Sequence, residues 1–266
     1  MPAPDDLALI EGAVREAGGI ARGFFGGHYK SWDKGKGQPV TEADIAVDKF
    51  LHGVLTAARP DYGWLSEETR DDPARLSKSR VFVVDPIDGT VAFIKGRPHF
   101  TIAVAVVEAA RPIAAIVFNP ITEECFTATL GGGAQLNGAR IHVSARDAIE
   151  GCRMLGDKGT FAHPGWSVAP NTPWPTMEIE TRSSIAYRMA LVASGQFDAA
   201  LALSAKHDWD LAAADLIVHE AGGLVSGHTG AVLHYNGVVP IQRTMIGAGK
   251  ALHARLIAKL MHVKLP

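Results

Sequence analysis

Leu7, Ile10, Val14, Ala17, Ala21 and Phe24 recur at a 3-4-3-4-3 spacing, which lines one face of a helix. Asp5 and Asp6 suit the start of that helix and Gly26-Gly27 its end. The polar, glycine-broken stretch 31–39 that follows is predicted to be a mobile loop. A second helix is predicted from near Thr41 to just before Pro60. The pattern then changes. Between 81 and about 143, short runs of β-branched and aromatic residues predict strands at 81–84, 100–107 and 113–118, with a hairpin at Asn137-Gly138. Beyond it, strand and helix alternate: a strand at 197–203, a helix at 209–220, a strand at 244–247 and a closing helix at 250–262. Three prolines mark 166–175 as loop. A helix pair with an antiparallel sheet, then alternating α and β, predicts an α/β fold of two subdomains with a cleft between them. The division is placed near 144–150, giving an N-terminal α+β part, 1–146, and a C-terminal α/β part, 147–266.

Composition narrows the partners. A net charge of −2 over 266 residues gives no electrostatic case for a nucleic-acid polymer or an anionic membrane. No apolar run approaches the roughly 20 residues needed to span a bilayer. The N-terminus has neither the basic flank nor the apolar core of a signal peptide. Cys125 and Cys152 stand far apart, with no Cys-x-x-Cys pair, so a disulfide framework or structural zinc is not expected and a reducing cytoplasm fits. The oligomeric state stays open, a homodimer included.

The chemistry is concentrated in acids. Asp85-Pro86-Ile87-Asp88-Gly89-Thr90 follows the apolar run 81–84, so two carboxylates three residues apart can converge at the end of a buried strand. Pro86 fixes its own φ, and Gly89 lets the backbone turn tightly against a ligand. Glu67-Glu68 lies upstream and Asp210, in Trp209-Asp210, far downstream. Carboxylates gathered in one place repel one another unless a cation sits between them. Oxygen ligands without clustered Cys or His favour Mg²⁺ over zinc or copper, and such a site suits phosphate chemistry. Thr41-Glu42-Ala43-Asp44 also reads as a helix capping box.

These elements together resemble the inositol monophosphatase superfamily of Mg²⁺-dependent, lithium-sensitive phosphatases, over nearly the whole chain. Thr41-x-x-Asp44, Ser66-Glu67-Glu68, Asp85 to Thr90, the hairpin Gly132 to Gly138, and Trp209-Asp210 with Glu220-Ala221-Gly222-Gly223 occur in the family's order and approximate spacing. The resemblance implies a layered α/β/α/β/α sandwich of the fructose-1,6-bisphosphatase type and two or three Mg²⁺ ions. It implies that Glu67, Asp85 and the Ile87 carbonyl hold one ion, and Asp85, Asp88 and Asp210 a second. Asp44 would help position a third ion and the attacking water, with Glu67 and Thr90 also catalytic; Thr90 would orient or deprotonate that water. The Gly89 and Thr90 amides would bind phosphate oxygens. Glu68, next to Glu67 on a strand-like segment, is expected to point away and play a support role. His207 is weighed as a general acid and set aside, because metal stabilises the leaving oxygen in such phosphatases. Lys34 and Lys36 would approach phosphate if the 31–39 loop closes over the site.

The substrate is less directly written. Inositol-specific relatives carry a Glu roughly seven residues before Trp-Asp, whereas 199–205 here has no carboxylate. Ala92 stands where the inositol type has Asn. With Lys95, and with Lys206 beside the Asp-Trp-Asp run as a substrate-binding residue, the chain looks most like the CysQ-type 3′(2′),5′-bisphosphate nucleotidase branch. That branch takes the 3′-phosphate from adenosine 3′,5′-bisphosphate. Inositol-1-monophosphatase, histidinol-phosphate phosphatase and, in another class, a transcription-antitermination partner remain the alternatives.

Overall fold

A computed structural model describes residues 3–35, 37–162 and 173–263; Lys36 and the 166–172 part of the predicted proline-rich loop lie outside the described residues. Helix α1 (Ala3–Phe24) opens the chain and packs its apolar stripe inward, with Ile10, Val14, Ala17 and Ala21 fully buried. The polar stretch after it is not simply a loop. β1 (Ser31–Asp33) pairs antiparallel with β2 (Pro39–Thr41), because Asp33 Oδ1 accepts from the Gly35 and Gln38 amides (2.6 and 3.2 Å) and so closes the turn between them. α2 (Glu42–Ala58) follows directly.

A seven-stranded sheet comes next, in chain order: β3 (Gly63–Ser66), β4 (Arg80–Asp88), β5 (Thr101–Glu108), β6 (Arg111–Asn119), β7 (Glu124–Thr129), β8 (Gly133–Leu136) and β9 (Ala139–Arg140). All neighbours are antiparallel except β3 and β4. The expected turn at Asn137-Gly138 joins β8 to β9, both residues at positive φ. Short α3 (Thr90–Ile94) interrupts the run between β4 and β5. β5 shows why periodicity fades here. Ile102, Val104 and Val106 face α1 and α2, while Ala103, Ala105 and Val107 face the molecule's centre, so both faces are buried and the strand reads as one apolar run.

The second half forms β10 (Arg153–Leu155), α4 (Lys158–Ala162), β11 (Glu178–Glu180), α5 (Ile185–Ala193), β12 (Ala199–Ala202), β13 (Lys206–His207), α6 (Asp208–Glu220), β14 (Gly223–Ser226), β15 (Ile241–Gln242), β16 (Met245–Gly249) and α7 (Lys250–Leu260). Its five-stranded sheet has the order β11-β10-β12-β16-β14, and β13 pairs with β15 apart from it. The elements stack in five layers: α1 and α2, the large sheet, α5 and α6, the small sheet, α7. This is the expected layered sandwich. Small side chains let the middle layers approach closely: Ala103 and Ala105 of β5 share a core with Ala212, Ala213 and Ala214 of α6. α5 was not among the predicted elements, because it is buried nearly all round and has no polar stripe to reveal it. Among the described residues no helix is long and apolar enough to cross a membrane.

Candidate active site

The predicted strand 81–84 runs on through Asp88, so the acid motif lies within β4, and its pairing with β5 slips between Asp85 and Asp88. That irregularity lets both carboxylates of one strand turn toward one place. Asp85, Asp88 and Asp210 each bring an oxygen within 4.8 Å of the others. Three helix starts hold the acids. Asp44 Oδ2 accepts from the Thr41 amide at 2.9 Å, while Thr41 Oγ1 accepts from the Ala43 amide at 3.1 Å, so the predicted capping box is formed. Asp210 repeats the geometry at α6, where the His207 amide donates to its Oδ2 at 2.8 Å. Asp88 is held by the start of α5: Ser184 Oγ and the Ala186 amide donate to its Oδ2 at 2.7 and 2.6 Å. Thr101 Oγ1 lies 3.0 Å from Ser184 Oγ and steadies it. Ser184 was missed in the sequence because α5 was missed; an Ser N-cap before an apolar run was the available signal.

A fourth start belongs to Thr90. Gly89 takes φ +100, and a Cβ there would sit 2.9 Å from both His99 O and Ser184 N, so the position needs glycine. The Ala92 and Phe93 amides return to Gly89 O at 2.8 and 3.2 Å, leaving the first amides of α3 without an intrahelical acceptor. A five-residue helix cannot persist alone. Phe93 anchors this one, its ring 4.9 Å from Phe100 and 5.6 Å from Phe25, a burial that contributes roughly 1.5–3 kcal/mol. The Thr90 hydroxyl lies 3.1 Å from both Asp44 Oδ1 and the Ile87 carbonyl. Ile87 buries its side chain in the core against α1 and α2.

Electrostatics show what the cluster lacks. Burial, then the charges of Glu67, Asp88 and Asp210, push the Asp85 carboxyl well above the usual range. Burial, then Asp88 and Glu67, does the same to Asp210. Asp88 is pushed by burial to about 6, against the opposing pull of its Ser184 and Ala186 hydrogen bonds. Asp44 is likewise raised by burial to about 6. Asp85 Oδ1 is buried and has no hydrogen-bond partner. An all-carboxylate donor set with an orphaned oxygen at its centre fits a hard divalent cation such as Mg²⁺.

Glu67 stands somewhat apart. It lines the same 310 Å³ cavity as Asp85, Asp88, Gly89, Thr90, Lys206 and Asp210, but its Oε1 accepts from Lys34 Nζ at 3.0 Å. Lys34 also donates to Glu68 Oε1 at 2.7 Å. The expected divergence of Glu67 and Glu68 is therefore wrong: β3 ends at Ser66, strand alternation stops there, and both acids reach one lysine. Burial raises Glu68 to about 7, with Lys34 acting against that rise. Lys95 is exposed beyond α3 and does not line the cavity at the acids. His207 stacks on Trp209 (4.3 Å, 4°), its buried Nδ1 has no partner, and it lines neither cavity near the acids, in keeping with a bystander. A second cavity, of 460 Å³, adjoins the first through Ser183, Ile185 and Lys206 and is walled by Leu201, Leu203 and Arg188.

A family model described as the inositol monophosphatase family matches residues 6–265. The chain belongs to the inositol monophosphatase family. Its enzymes are Mg²⁺-dependent phosphomonoesterases, and this chain is a phosphoric monoester hydrolase of that kind. It is 32% identical to the inositol-1-monophosphatase of Mesorhizobium japonicum, across 91% of this chain and 94% of that one. It is 35% identical to Nus factor SuhB of Pseudomonas aeruginosa, across 72% and 73%. Among solved structures it is similar to the extragenic suppressor protein suhB of Bartonella henselae, with a TM-score of 0.83, 28% identity and coverage of 97% and 99%. It is also similar to an IMPase of Thermotoga maritima, with a TM-score of 0.82, 27% identity and coverage of 97% and 98%. These names support the family. They carry no reference to the bisphosphate nucleotidase branch.

Proposed function

We propose that this phosphatase is a 3′(2′),5′-bisphosphate nucleotidase that takes adenosine 3′,5′-bisphosphate. The observation that carries the reading is the wall of the second cavity. The stretch 199–205, where inositol-specific relatives carry a Glu, brings no carboxylate to it, and Lys206 lines both this cavity and the one at the acids. Without that Glu, ring hydroxyls lose a hydrogen-bond partner, and a site discriminates a polyol through such bonds. Inositol-1-monophosphatase is the second reading, favoured by the names that similar relatives carry.

In this reading Glu67, Asp85 and the Ile87 carbonyl would hold one Mg²⁺, and Asp85, Asp88 and Asp210 another, with Asp44 toward a third. Bound there, Mg²⁺ lowers the pKa of a water and neutralises charge on the phosphate and leaving oxygen. Asp44, fixed by its own helix cap, accepts the Thr90 proton, so that the Thr90 oxygen is aimed to take a proton from water. The amides of Gly89, just before α3, and of Thr90, its first residue, donate to phosphate oxygens. Lys206 supplies positive charge on the substrate side. Residues 1–146 and 147–266 serve as the two parts whose cleft forms the site. Cys125 and Cys152, both buried free thiols, suit a cytoplasmic enzyme.

Turnover should end in EDTA and be inhibited by lithium. The substrate test compares kcat/KM for adenosine 3′,5′-bisphosphate and inositol 1-phosphate. A preference for the nucleotide of at least about tenfold, roughly 1.4 kcal/mol, is expected. Lys206→Ala should lower activity on the bisphosphate and spare a simple phosphomonoester. Equal rates on the two substrates, or a preference for inositol phosphate, would overturn the nucleotidase reading and leave the phosphatase standing.

A further inference from the structure

We propose that Arg188 is the anchor for a second anionic group on the leaving portion of the substrate, which seats that portion in the 460 Å³ cavity beside the acids. The inference rests on the reading of the chain as a phosphatase with an anionic leaving group, and it names the residue that reads the anion. Arg188 projects from the first turns of α5, the helix whose start also holds Asp88. Its Nε donates to the Arg182 carbonyl at 2.6 Å, which fixes the plane of the guanidinium. Among the described residues that is the side chain's one hydrogen bond, and it forms no ion pair. The terminal nitrogens are thus left for the cavity that the residue lines.

A cation largely withdrawn from water is unfavourable unless an anion or several acceptors meet it. A fixed guanidinium presents two parallel N–H donors, the match for two oxygens of a phosphate. Lys206 cannot serve the same purpose at the same place. It lines both cavities, and its Nζ is tied to Ser204 Oγ (2.9 Å) and the Ala205 carbonyl (3.2 Å). Arg188 lines the second cavity alone, so a molecule with one phosphate at the acids and another at Arg188 spans the junction at Lys206. Between these charges the cavity is lined by Ile185 and Thr160 and by the chain at 201–204, whose Leu201 and Leu203 are themselves buried in the core with α7. Asp157, the acid on this wall, has Oδ1 engaged by the Gly159 amide at 2.9 Å and does not pair with Arg188. The site therefore selects a nucleoside bisphosphate over a singly phosphorylated analogue.

The test measures kcat and KM, with Mg²⁺, for the wild type, R188A and R188K. The substrates are adenosine 3′,5′-bisphosphate and adenosine 3′-monophosphate, which lacks only the second phosphate. R188A should lose about tenfold or more in kcat/KM on the bisphosphate, mainly through KM, and under about twofold on the monophosphate. R188K, which keeps the charge without the fork, should retain part of the preference. Equal losses on both substrates, or none on the bisphosphate, would overturn the proposal. Should R188A fail to fold, R188Q carries the same comparison. Calorimetric titration with adenosine 5′-monophosphate separates this proposal from the substrate reading. If the wild type prefers inositol 1-phosphate, the nucleotidase reading falls, yet about tenfold weaker nucleotide binding by R188A still supports Arg188 as an anion anchor. Equal affinities in wild type and R188A would sink it.

Discussion

At the scale of single residues, Asp85 sits under the most tension. It is fully buried, one of its oxygens has no partner, and Glu67, Asp88 and Asp210 all oppose its charge. Asparagine keeps the shape and removes the charge. Asp85→Asn is therefore expected to lower kcat/KM by at least about a hundredfold, a loss of roughly 2.7 kcal/mol of transition-state stabilisation. In the metal-free protein the same change should raise the melting temperature, since it relieves like-charge repulsion. Steady-state rates and thermal melts in EDTA check the two halves separately. A variant that keeps a tenth of wild-type activity would remove Asp85 from the centre of the site. The neighbouring Thr41-Asp44 pair teaches a related point: one aspartate both closes a helix cap and meets the Thr90 hydroxyl, so a structural and a chemical use do not compete.

At the scale of elements, what could be read from the sequence followed amphipathicity and turn chemistry. α1, α2, α6, α7 and the hairpin at Asn137-Gly138 announce themselves by a stripe, a cap or an Asn-Gly turn. α5 does not, because both its sides are covered; with it went Ser184, the Ala186 amide and Arg188, which are invisible until the helix is placed. Glu68 is hidden for the opposite reason: β3 ends at Ser66, so strand alternation does not govern it. The hairpin β1–β2 looks like a loop in the sequence because pairing of three-residue strands leaves too short a pattern to see. Lys34, just past β1, ties this hairpin to Glu67 and Glu68 and gives it a testable tether. Lys34→Ala should speed cleavage between residues 33 and 39 by a non-specific protease severalfold. The melting temperature should move little, as a partly exposed ion pair is worth about 1 kcal/mol or less. Unchanged cleavage would mean that backbone pairing alone holds the hairpin.

For the whole molecule, the acids make stability depend jointly on Mg²⁺ and pH. Burial raises Asp44 and Asp88 to about 6 and Glu68 to about 7, and it raises Asp85 and Asp210 as well. A carboxyl raised on folding keeps its proton where the unfolded chain, at about 4, has lost it; stability therefore falls as pH climbs from about 4 through 7. The half-buried His99 and His207 and the buried His253 are lowered instead, so they favour the fold above about 6.5 and weaken it below. The two sets oppose each other between pH 5 and 7, and the melting temperature alone does not separate them. The increment caused by Mg²⁺ does, because the histidines contribute with and without the ion, whereas the ion competes with protons for the clustered carboxylates. Saturating Mg²⁺ should raise the melting temperature more at pH 7.5 than at pH 5, by several degrees for a chain of this size. Asp85→Asn should flatten that difference. An Mg²⁺ increment that does not change with pH in the wild type would mean that the ion binds somewhere other than the buried acids of β4 and α6.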